Sequence, residues 1–173
     1  MSGSGSAVVG TVAAVDLGAT SGRVIVGHVG PDTLEATTVG RFANDPVATP
    51  DGLHWHLLGL YGAALVGLRE AFRVAPEIAS IGVDSWAVDY GLLREGRLVG
   101  TPFHYRDARS EQGVAAVHER MPHAELYGRN GLQFLPFNTV YQMMAEKQAG
   151  TLELADRALL IPDLIGYWLT GEM

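Results

Sequence analysis

The sequence predicts an α/β domain whose mixed sheet begins as an antiparallel meander and carries helices on its faces. Short apolar runs rich in β-branched residues come first and are separated by turn residues. A helical repeat of apolar residues follows, and then a further apolar run of strand type. The chain has 173 residues, 47% of them hydrophobic, which is enough to bury one core.

Three strands are predicted near the amino terminus. Residues 11–17 (TVAAVDL) form a short apolar run that ends at a glycine-rich segment. Residues 23–29 (RVIVGHV) resume the β character at once, and a third run covers residues 36–42 after a Gly-Pro-Asp turn signal. Residues 44–52 contain two prolines and an Asp-Gly pair, so they are predicted to be a loop.

The period of the apolar residues changes at residues 57–72, where they recur at i, i+3 and i+4 and predict an amphipathic helix. Pro76 ends this pattern. Strands are predicted at residues 78–83 and 88–93, and a turn at residues 94–97 makes the second of them part of a hairpin.

The last third of the chain is predicted to be mainly helical. Helices are expected over residues 110–120 and 140–148, a short strand at 158–161, and a closing helix with Pro162 near its start. Three strands, one helix and then another strand is the order of a ribonuclease-H-like or actin-like α/β domain. The Gly/Ser-rich residues 1–10 are predicted to be a flexible terminus.

Composition excludes several classes of function. Cysteine is absent, so neither disulfides nor thiolate metal sites are available. The net charge is −7 and no basic run occurs, which argues against nucleic acid or an anionic membrane as a partner. No signal peptide or membrane span is predicted, and we expect a cytoplasmic protein.

A glycine-rich turn, residues 18–22 (GATSG), separates the first two predicted strands; we call it the glycine turn. Backbone N–H groups in such a turn can approach anionic oxygens closely, and Thr20 and Ser21 add hydroxyl donors. Arg23 can add a charge-assisted contact, and Asp16 is placed to hold Mg²⁺ directly or through water. The alternative is an ordinary hairpin turn with a capping aspartate.

A second polar group follows the strand predicted at residues 78–83. Asp84, Ser85 and Trp86 come directly after it, and Asp89 lies three residues beyond the tryptophan. Strand ends of α/β sheets carry ligand sites, and a tryptophan there can stack on the apolar face of a sugar. Alternatively, Trp86 is a core aromatic residue and Asp84 forms a turn.

Two later segments combine aromatic and polar residues. Residues 102–110 place four such side chains in five positions, namely Tyr105, Arg106, Asp107 and Arg109. They could line a site for hydroxyl groups or form a solvated ion-pair surface. Residues 133–139 (QFLPFNT) form an aromatic loop in which Phe134 and Phe137 could bind a ligand or fill the core.

Taken in order, these segments closely resemble the FGGY family of sugar kinases, and within it the rhamnulokinases. The resemblance runs from about residue 11 to the end, and it rests on the segments AVDLGATSGRV, HWHL, IGVDSWAVDYGLL, PFHYRDARS, GLQFLPFNTVYQM and LLIPDLIGYWLTG. It implies a two-lobed kinase with ribonuclease-H-like lobes that uses ATP and Mg²⁺ to phosphorylate the 1-hydroxyl of L-rhamnulose. Residues 11–173 would belong to its amino-terminal lobe.

The resemblance also implies roles for individual residues. The ATP phosphates would be contacted by Ala19, Thr20, Ser21, Gly22 and Arg23, with Asp16 serving the Mg²⁺ region. The sugar would be faced by Trp86 and the backbone of Ala87, with Phe137 at its edge. Arg106 and Asp107 match a family segment near the sugar.

Two departures from the family pattern limit these expectations. Rhamnulokinases usually carry glycine where this chain has Ala87. The general base of the family is an aspartate in the second half of the polypeptide, and no residue up to Met173 matches it. We therefore expect a carboxy-terminal lobe of the same polypeptide as a partner, and we expect these 173 residues alone to be inactive.

Three other functions are compatible with parts of the pattern. The substrate could be another ketose, such as L-fuculose. An actin-like module that binds ATP without phosphorylating a sugar is a second possibility, although Trp86 and the aromatic loop argue against it. A ribonuclease-H-like nuclease using Asp16, Asp84 and Asp89 is a third, which the net charge of −7 disfavours.

Overall fold

The computed structural model describes residues 9–173, so most of the predicted flexible terminus lies outside the described residues. Two compact units are present. The first contains the described residues up to Asp45 together with His56–Trp86 and Ile165–Met173, and the second contains Pro46–Trp55 and Ala87–Leu164.

Strands predominate in the first half of the chain and helices in the second. In chain order the elements are β1 (Gly10–Leu17), β2 (Ser21–Val29), β3 (Leu34–Ala43), β4 (Val47–Thr49), β5 (Gly52–His54), α1 (Leu57–Val74), β6 (Ser80–Ser85), β7 (Tyr90–Arg94), β8 (Arg97–Leu98), α2 (Ser110–His118), α3 (His123–Asn130), α4 (Thr139–Ala149), a 3₁₀ turn (Leu152–Leu154), β9 (Arg157–Leu160) and α5 (Ile161–Thr170). None of the helices in this described part is long and apolar enough to cross a membrane.

The first unit is built on a four-stranded mixed sheet of order β3-β2-β1-β6. β1, β2 and β3 pair antiparallel in sequence, which confirms the predicted meander, and β6 pairs parallel to β1. Burial alternates along β1, where Ala13, Val15 and Leu17 are buried. This period of two is typical of a strand with one face in the core.

Helix α1 packs on the first sheet and extends slightly beyond its predicted range of 57–72. Gly67 makes the close approach possible, because a Cβ atom there would lie only 2.4 Å from a methyl group of Val24 on β2. The carboxy-terminal part of α5 belongs to the same unit, where the Tyr61 hydroxyl donates to the Trp168 carbonyl at 2.9 Å.

The second unit contains a three-stranded sheet of order β8-β7-β9 and the β4-β5 hairpin. The hairpin corrects the prediction of a plain loop over residues 44–52. Its two prolines, Pro46 and Pro50, lie just outside the strand β4, where their missing N–H groups break no strand pairing.

Two predicted strands begin later in the chain than expected. β6 covers Ser80–Ser85 instead of residues 78–83. β7 begins at Tyr90 instead of Val88, because Val88 has a φ of 75°, which an L-residue in a strand cannot adopt. The Val88 carbonyl accepts a hydrogen bond from the Thr139 hydroxyl at 2.8 Å.

The helices of the second unit include one that the sequence pattern did not predict. α2 and α4 lie close to the predicted ranges, and Gly113 lets them meet, since a Cβ atom there would lie 1.9 Å from the Tyr141 carbonyl oxygen. α3 was missed because it buries none of its residues and so has no apolar repeat. Pro122 before it and Gly131 after it, with a φ of 66°, were the available signals.

Candidate functional site

The glycine turn joins β1 to β2, and its two outer glycines are required by the fold itself. The Gly18 N–H donates to the Ser21 carbonyl at 2.9 Å, and a Cβ atom on Gly18 would lie 2.8 Å from that oxygen. At Gly22 a Cβ atom would lie 2.2 Å from the ring of Phe42. Glycine at these positions is therefore explained without a ligand.

The polar side chains at the turn are exposed to solvent. Thr20, Ser21 and Arg23 are exposed, and Ala19 is half-buried. Backbone and hydroxyl donors on an exposed turn suit a polyanionic ligand such as a phosphate chain. The expected phosphate-binding residues thus lie together at the carboxyl end of β1.

An ion pair lies beside the turn. The Arg23 Nε donates to Asp16 Oδ2 at 2.6 Å, with the side chains 46% and 33% exposed. Arg23 is therefore held by Asp16 in this structure. Because the pair is open to water, its net stabilisation is small, and a phosphate or a cation can compete for either partner.

A second carboxylate neighbours Asp16. Asp84 on β6 is its register partner in the parallel pairing with β1, and Asp84 is exposed. The described residues contain no cluster of three or more histidines or acidic residues that could hold a metal ion. Two adjacent carboxylates nevertheless fit Mg²⁺, which commonly binds one or two carboxylates, substrate phosphates and water.

Trp86 follows β6 directly and belongs to the same unit as the turn. Its N–H donates to the Leu17 carbonyl at 3.2 Å, so its backbone lies at the end of β1 next to the glycine turn. The side chain is half-buried. The first unit therefore brings together the turn, Asp16, Asp84 and Trp86.

In the second unit a buried carboxylate organises the aromatic segments. Asp89 is 1% exposed and accepts hydrogen bonds from Trp55 Nε1 at 2.6 Å, Gln142 Nε2 at 2.7 Å and the Tyr105 N–H at 3.0 Å. These donors use both carboxylate oxygens. Asp89 thus anchors the fold, which removes one of the three metal carboxylates that the nuclease hypothesis needs.

Asp107 is also engaged by the backbone. Its Oδ2 accepts from the Leu53 N–H at 2.7 Å, and its Oδ1 accepts from the Arg109 N–H at 2.9 Å. The carboxylate fastens β5 to the start of α2. Arg106, in contrast, is exposed, with its guanidinium 5.4 Å from the centroid of the Tyr105 ring.

Phe137 lies beside Tyr105, with the ring centroids 5.3 Å apart. The Phe137 carbonyl accepts from Gln142 Nε2 at 2.9 Å, so the amide that binds Asp89 also holds the aromatic loop. The second unit thus brings Tyr105, Arg106 and Phe137 into one region. Ala87 is the first residue of the longer segment of this unit, and it is exposed.

Sequence reasoning missed three positions that support these segments. Gln142 is 1% exposed, and Glu146 is buried and pairs with Arg109 through an Nη1–Oε1 contact of 2.7 Å. Asn44 is 2% exposed and contacts the glycine turn. Polar residues inside a helix or a predicted loop give no burial signal in the sequence, because only long-range packing buries them.

His104 packs against Trp55, with the ring centroids 4.0 Å apart. Its Nδ1 accepts a hydrogen bond from the Arg106 N–H at 3.0 Å, so this nitrogen carries no proton. Burial lowers the pKa of His104, and the nearby Arg106 charge lowers it further, although Asp107 opposes them. The ring is therefore neutral near pH 7.

The chain is similar to known sugar kinases in sequence and in structure, although it matches no family model. It is 42% identical over 165 residues to the rhamnulokinase of Enterobacter sp. (strain 638), and 37% identical over 163 residues to that of Bacteroides thetaiotaomicron. Each match covers 92% of this chain and 34% of the relative. The chain thus spans about a third of the length of these relatives.

The fold is similar to that of solved sugar kinases. A xylulose kinase from Rhodospirillum rubrum superposes with a TM-score of 0.78 at 17% identity, and a gluconate kinase from Lactobacillus acidophilus with 0.74 at 15% identity. Both matches cover 94% of this chain and about a third of the other chain, 35% and 33%. The predicted ribonuclease-H-like, actin-like fold is confirmed.

The resemblance that the sequence motifs indicated is confirmed as well: the chain is similar to rhamnulokinases, of which it spans about a third of the length.

Proposed function

We propose that this chain is the amino-terminal part of an ATP-dependent kinase that transfers the γ-phosphoryl group of ATP to the 1-hydroxyl of L-rhamnulose. The observation that carries the proposal is the placement of the glycine turn, Asp16, Asp84 and Trp86 at the ends of β1 and β6 in a chain 42% identical to a rhamnulokinase. That end of an α/β sheet is where ligands bind.

The glycine turn would hold the phosphates of ATP. Ala19, Thr20, Ser21 and Gly22 would supply backbone and hydroxyl donors, and Arg23 would add its charge to a phosphate oxygen. Asp16 and Asp84 would hold Mg²⁺ directly or through water. When bound, the ion neutralises the negative charge that opposes attack on the phosphate.

The family resemblance assigns sugar-binding roles to several residues of this chain. Trp86 offers an apolar face, Phe137 an aromatic edge and Arg106 an exposed guanidinium. Asp107 would act by positioning the Arg106 segment, since both of its oxygens already accept backbone hydrogen bonds. Ala87 would approach the sugar through its backbone.

The reaction requires the sugar oxygen to attack the γ-phosphorus while the bond to the bridging oxygen of ADP breaks. The hydroxyl proton must pass to a base. We assign that base to a carboxy-terminal lobe of the same polypeptide, because no residue of this chain matches the family's aspartate. Residues 1–173 alone would then position part of the substrates without turning them over.

The test compares two polypeptides. The first begins with this chain and has the full length of the relatives, and the second consists of the 173 residues alone. ADP formation is measured with ATP, Mg²⁺ and a panel of ketoses that includes L-rhamnulose and L-fuculose. We expect turnover by the full-length protein with L-rhamnulose preferred, and none by the 173 residues. Ketose-independent ATP turnover, or no turnover at all, would contradict the proposal.

One observation favours a ketose other than L-rhamnulose as the substrate. Ala87 is exposed and stands where rhamnulokinases usually have glycine, so its methyl group narrows any ligand space there. A preference for another ketose such as L-fuculose in the same panel would support this alternative. An Ala87→Gly variant that shifts the preference toward L-rhamnulose would show that the methyl group is responsible.

A further inference from the structure

We infer that Asn44 is a positioning residue for the glycine turn. Its side-chain amide and its backbone N–H each fix one of the peptide groups that face the phosphates of ATP. This inference rests on the proposed function, since it assumes that the turn binds those phosphates. Asn44 follows β3 and is 26 residues from Gly18 in the sequence. It was predicted only as a loop residue.

Asn44 binds the turn at two points. Its Nδ2 donates to the Gly18 carbonyl at 2.8 Å, and its backbone N–H donates to the Thr20 carbonyl at 3.1 Å. A carbonyl oxygen can only accept, so the amide nitrogen must face Gly18. Together with the bond from the Gly18 N–H to the Ser21 carbonyl, three carbonyl groups of the turn are held from within the protein.

The direction of these carbonyl groups sets the direction of the N–H groups. The described chain has no cis peptide bond, and in a trans peptide the C=O and the following N–H point in opposite directions. The Gly18 carbonyl points toward Asn44, so the Ala19 N–H points away from it. The Thr20 carbonyl fixes the Ser21 N–H in the same way. Two donors are thus preorganised on the side of the turn that is opposite Asn44.

The side-chain oxygen of Asn44, Oδ1, supports this role. Asn44 is 2% exposed, and its Oδ1 has no hydrogen-bond partner among the described residues. Burying an unpaired oxygen destabilises a fold, so an apolar residue would serve better if position 44 only filled space. The donor of the amide is the feature that the turn uses.

The test uses the full-length protein and two variants at position 44. Asn44→Asp keeps the volume but replaces the donor by an acceptor, and Asn44→Ala removes the donor without adding charge. We expect the Kd of ATP with Mg²⁺, measured by calorimetry, and the KM for ATP to rise about tenfold in both variants. The KM for the ketose should change less than twofold.

Asp45→Asn is the matched control. It changes the charge by one unit at the neighbouring exposed position and touches no bond of the turn. We expect its Kd for ATP to equal that of the wild type. Asp45→Asn removes a negative charge whereas Asn44→Asp adds one. A decrease in its Kd as large as the increase for Asn44→Asp would show that charge alone is responsible and would overturn the inference.

Other outcomes separate this inference from the proposed function. If the wild type phosphorylates a ketose and Asn44→Ala binds ATP as tightly as the wild type, the inference fails and the function stands. If the wild type binds ATP but phosphorylates no ketose, the function fails, and the Kd values still decide the role of Asn44. If the wild type binds no ATP, both fail.

Where neither variant folds, hydrogen exchange in the wild type gives the answer. ATP should slow exchange of the Ala19 and Ser21 amides by at least about tenfold, because both would donate to phosphate oxygens. Unchanged exchange at these two amides under saturating ATP would overturn the inference.

Discussion

Single buried polar residues connect the segments that are proposed to bind the sugar. Asp89 accepts hydrogen bonds from Trp55, Tyr105 and Gln142, and Gln142 also donates to the Phe137 carbonyl. One carboxylate therefore fixes two segments that lie far apart in the sequence. A buried charge is stable only when donors surround it, and these three donors supply that requirement.

We predict that Asp89→Asn lowers the free energy of unfolding by about 3 kcal/mol, because an amide must turn an N–H toward one of the three donors. Urea denaturation followed by fluorescence measures the change. The exposed Asp45→Asn variant is the control and should unfold like the wild type. An Asp89→Asn midpoint equal to that of the wild type would mean that the carboxylate does not anchor these segments.

We predict that the stability of the fold depends on pH through His104. Burial lowers the pKa of folded His104 below that of the unfolded chain, about 6.5. Between these two pKa values the unfolded state binds the extra proton, so stability falls as pH falls from about 6.5 toward the folded pKa. Above 6.5 the contribution of His104 is fully present.

The measurement is the free energy of unfolding at several pH values between 5 and 8, roughly the range in which histidine titrates. We expect His104→Phe, which keeps a ring against Trp55 but cannot titrate, to have a flatter profile below pH 6.5. If both proteins give parallel profiles, His104 is not the group responsible.

At the scale of the elements, close approach between backbones decides where glycine is needed. On α1, Gly67 faces β2 and Gly62 faces open space. The apolar repeat predicted this helix, but it could not tell the two glycines apart, because both occur within the same periodic run. Only the position of Val24 on the neighbouring strand separates them.

We therefore predict opposite effects of alanine at these two positions. Gly67→Ala should lower the free energy of unfolding by about 1–2 kcal/mol. Its Cβ would overlap Val24, and the free-energy cost of that overlap exceeds the gain in helix propensity. Gly62→Ala should raise it by about 0.5–1 kcal/mol, since nothing lies within 4 Å of its Cβ position. Thermal or urea unfolding of both variants tests the pair, and equal effects would contradict the packing of α1 on β2.

Two of the elements that the sequence did not predict share one physical property. α3 buries no residue, and β4 is exposed along its whole length, so neither shows an apolar period. Conversely, β1, β2 and α1 bury one face each and were predicted within a few residues. Periodicity reports burial, and it does not detect an element that stays at the surface.

At the scale of the whole molecule, the motifs divide between the two units. The glycine turn, Asp16, Asp84 and Trp86 belong to the first, while Ala87, Arg106, Asp107 and Phe137 belong to the second. The binding roles of these residues stay predictions, as does the division into a flexible terminus, residues 1–10, and one lobe, residues 11–173. The similarity to sugar kinases does not depend on them.

The meander, the amphipathic helix α1 and the similarity to sugar kinases could be predicted from the sequence, because apolar periods and ordered motifs are local properties of a chain. The contacts of individual polar residues became visible only in the folded chain. Asp89 and Asp107 were candidates for ligand or substrate contact, and their carboxylates are held by donors of the protein. Asn44 was a loop residue, and it contacts the glycine turn. Hydrogen bonds between residues 16 to 54 positions apart cannot be inferred from local pattern, since only the folded chain brings those atoms within 3 Å.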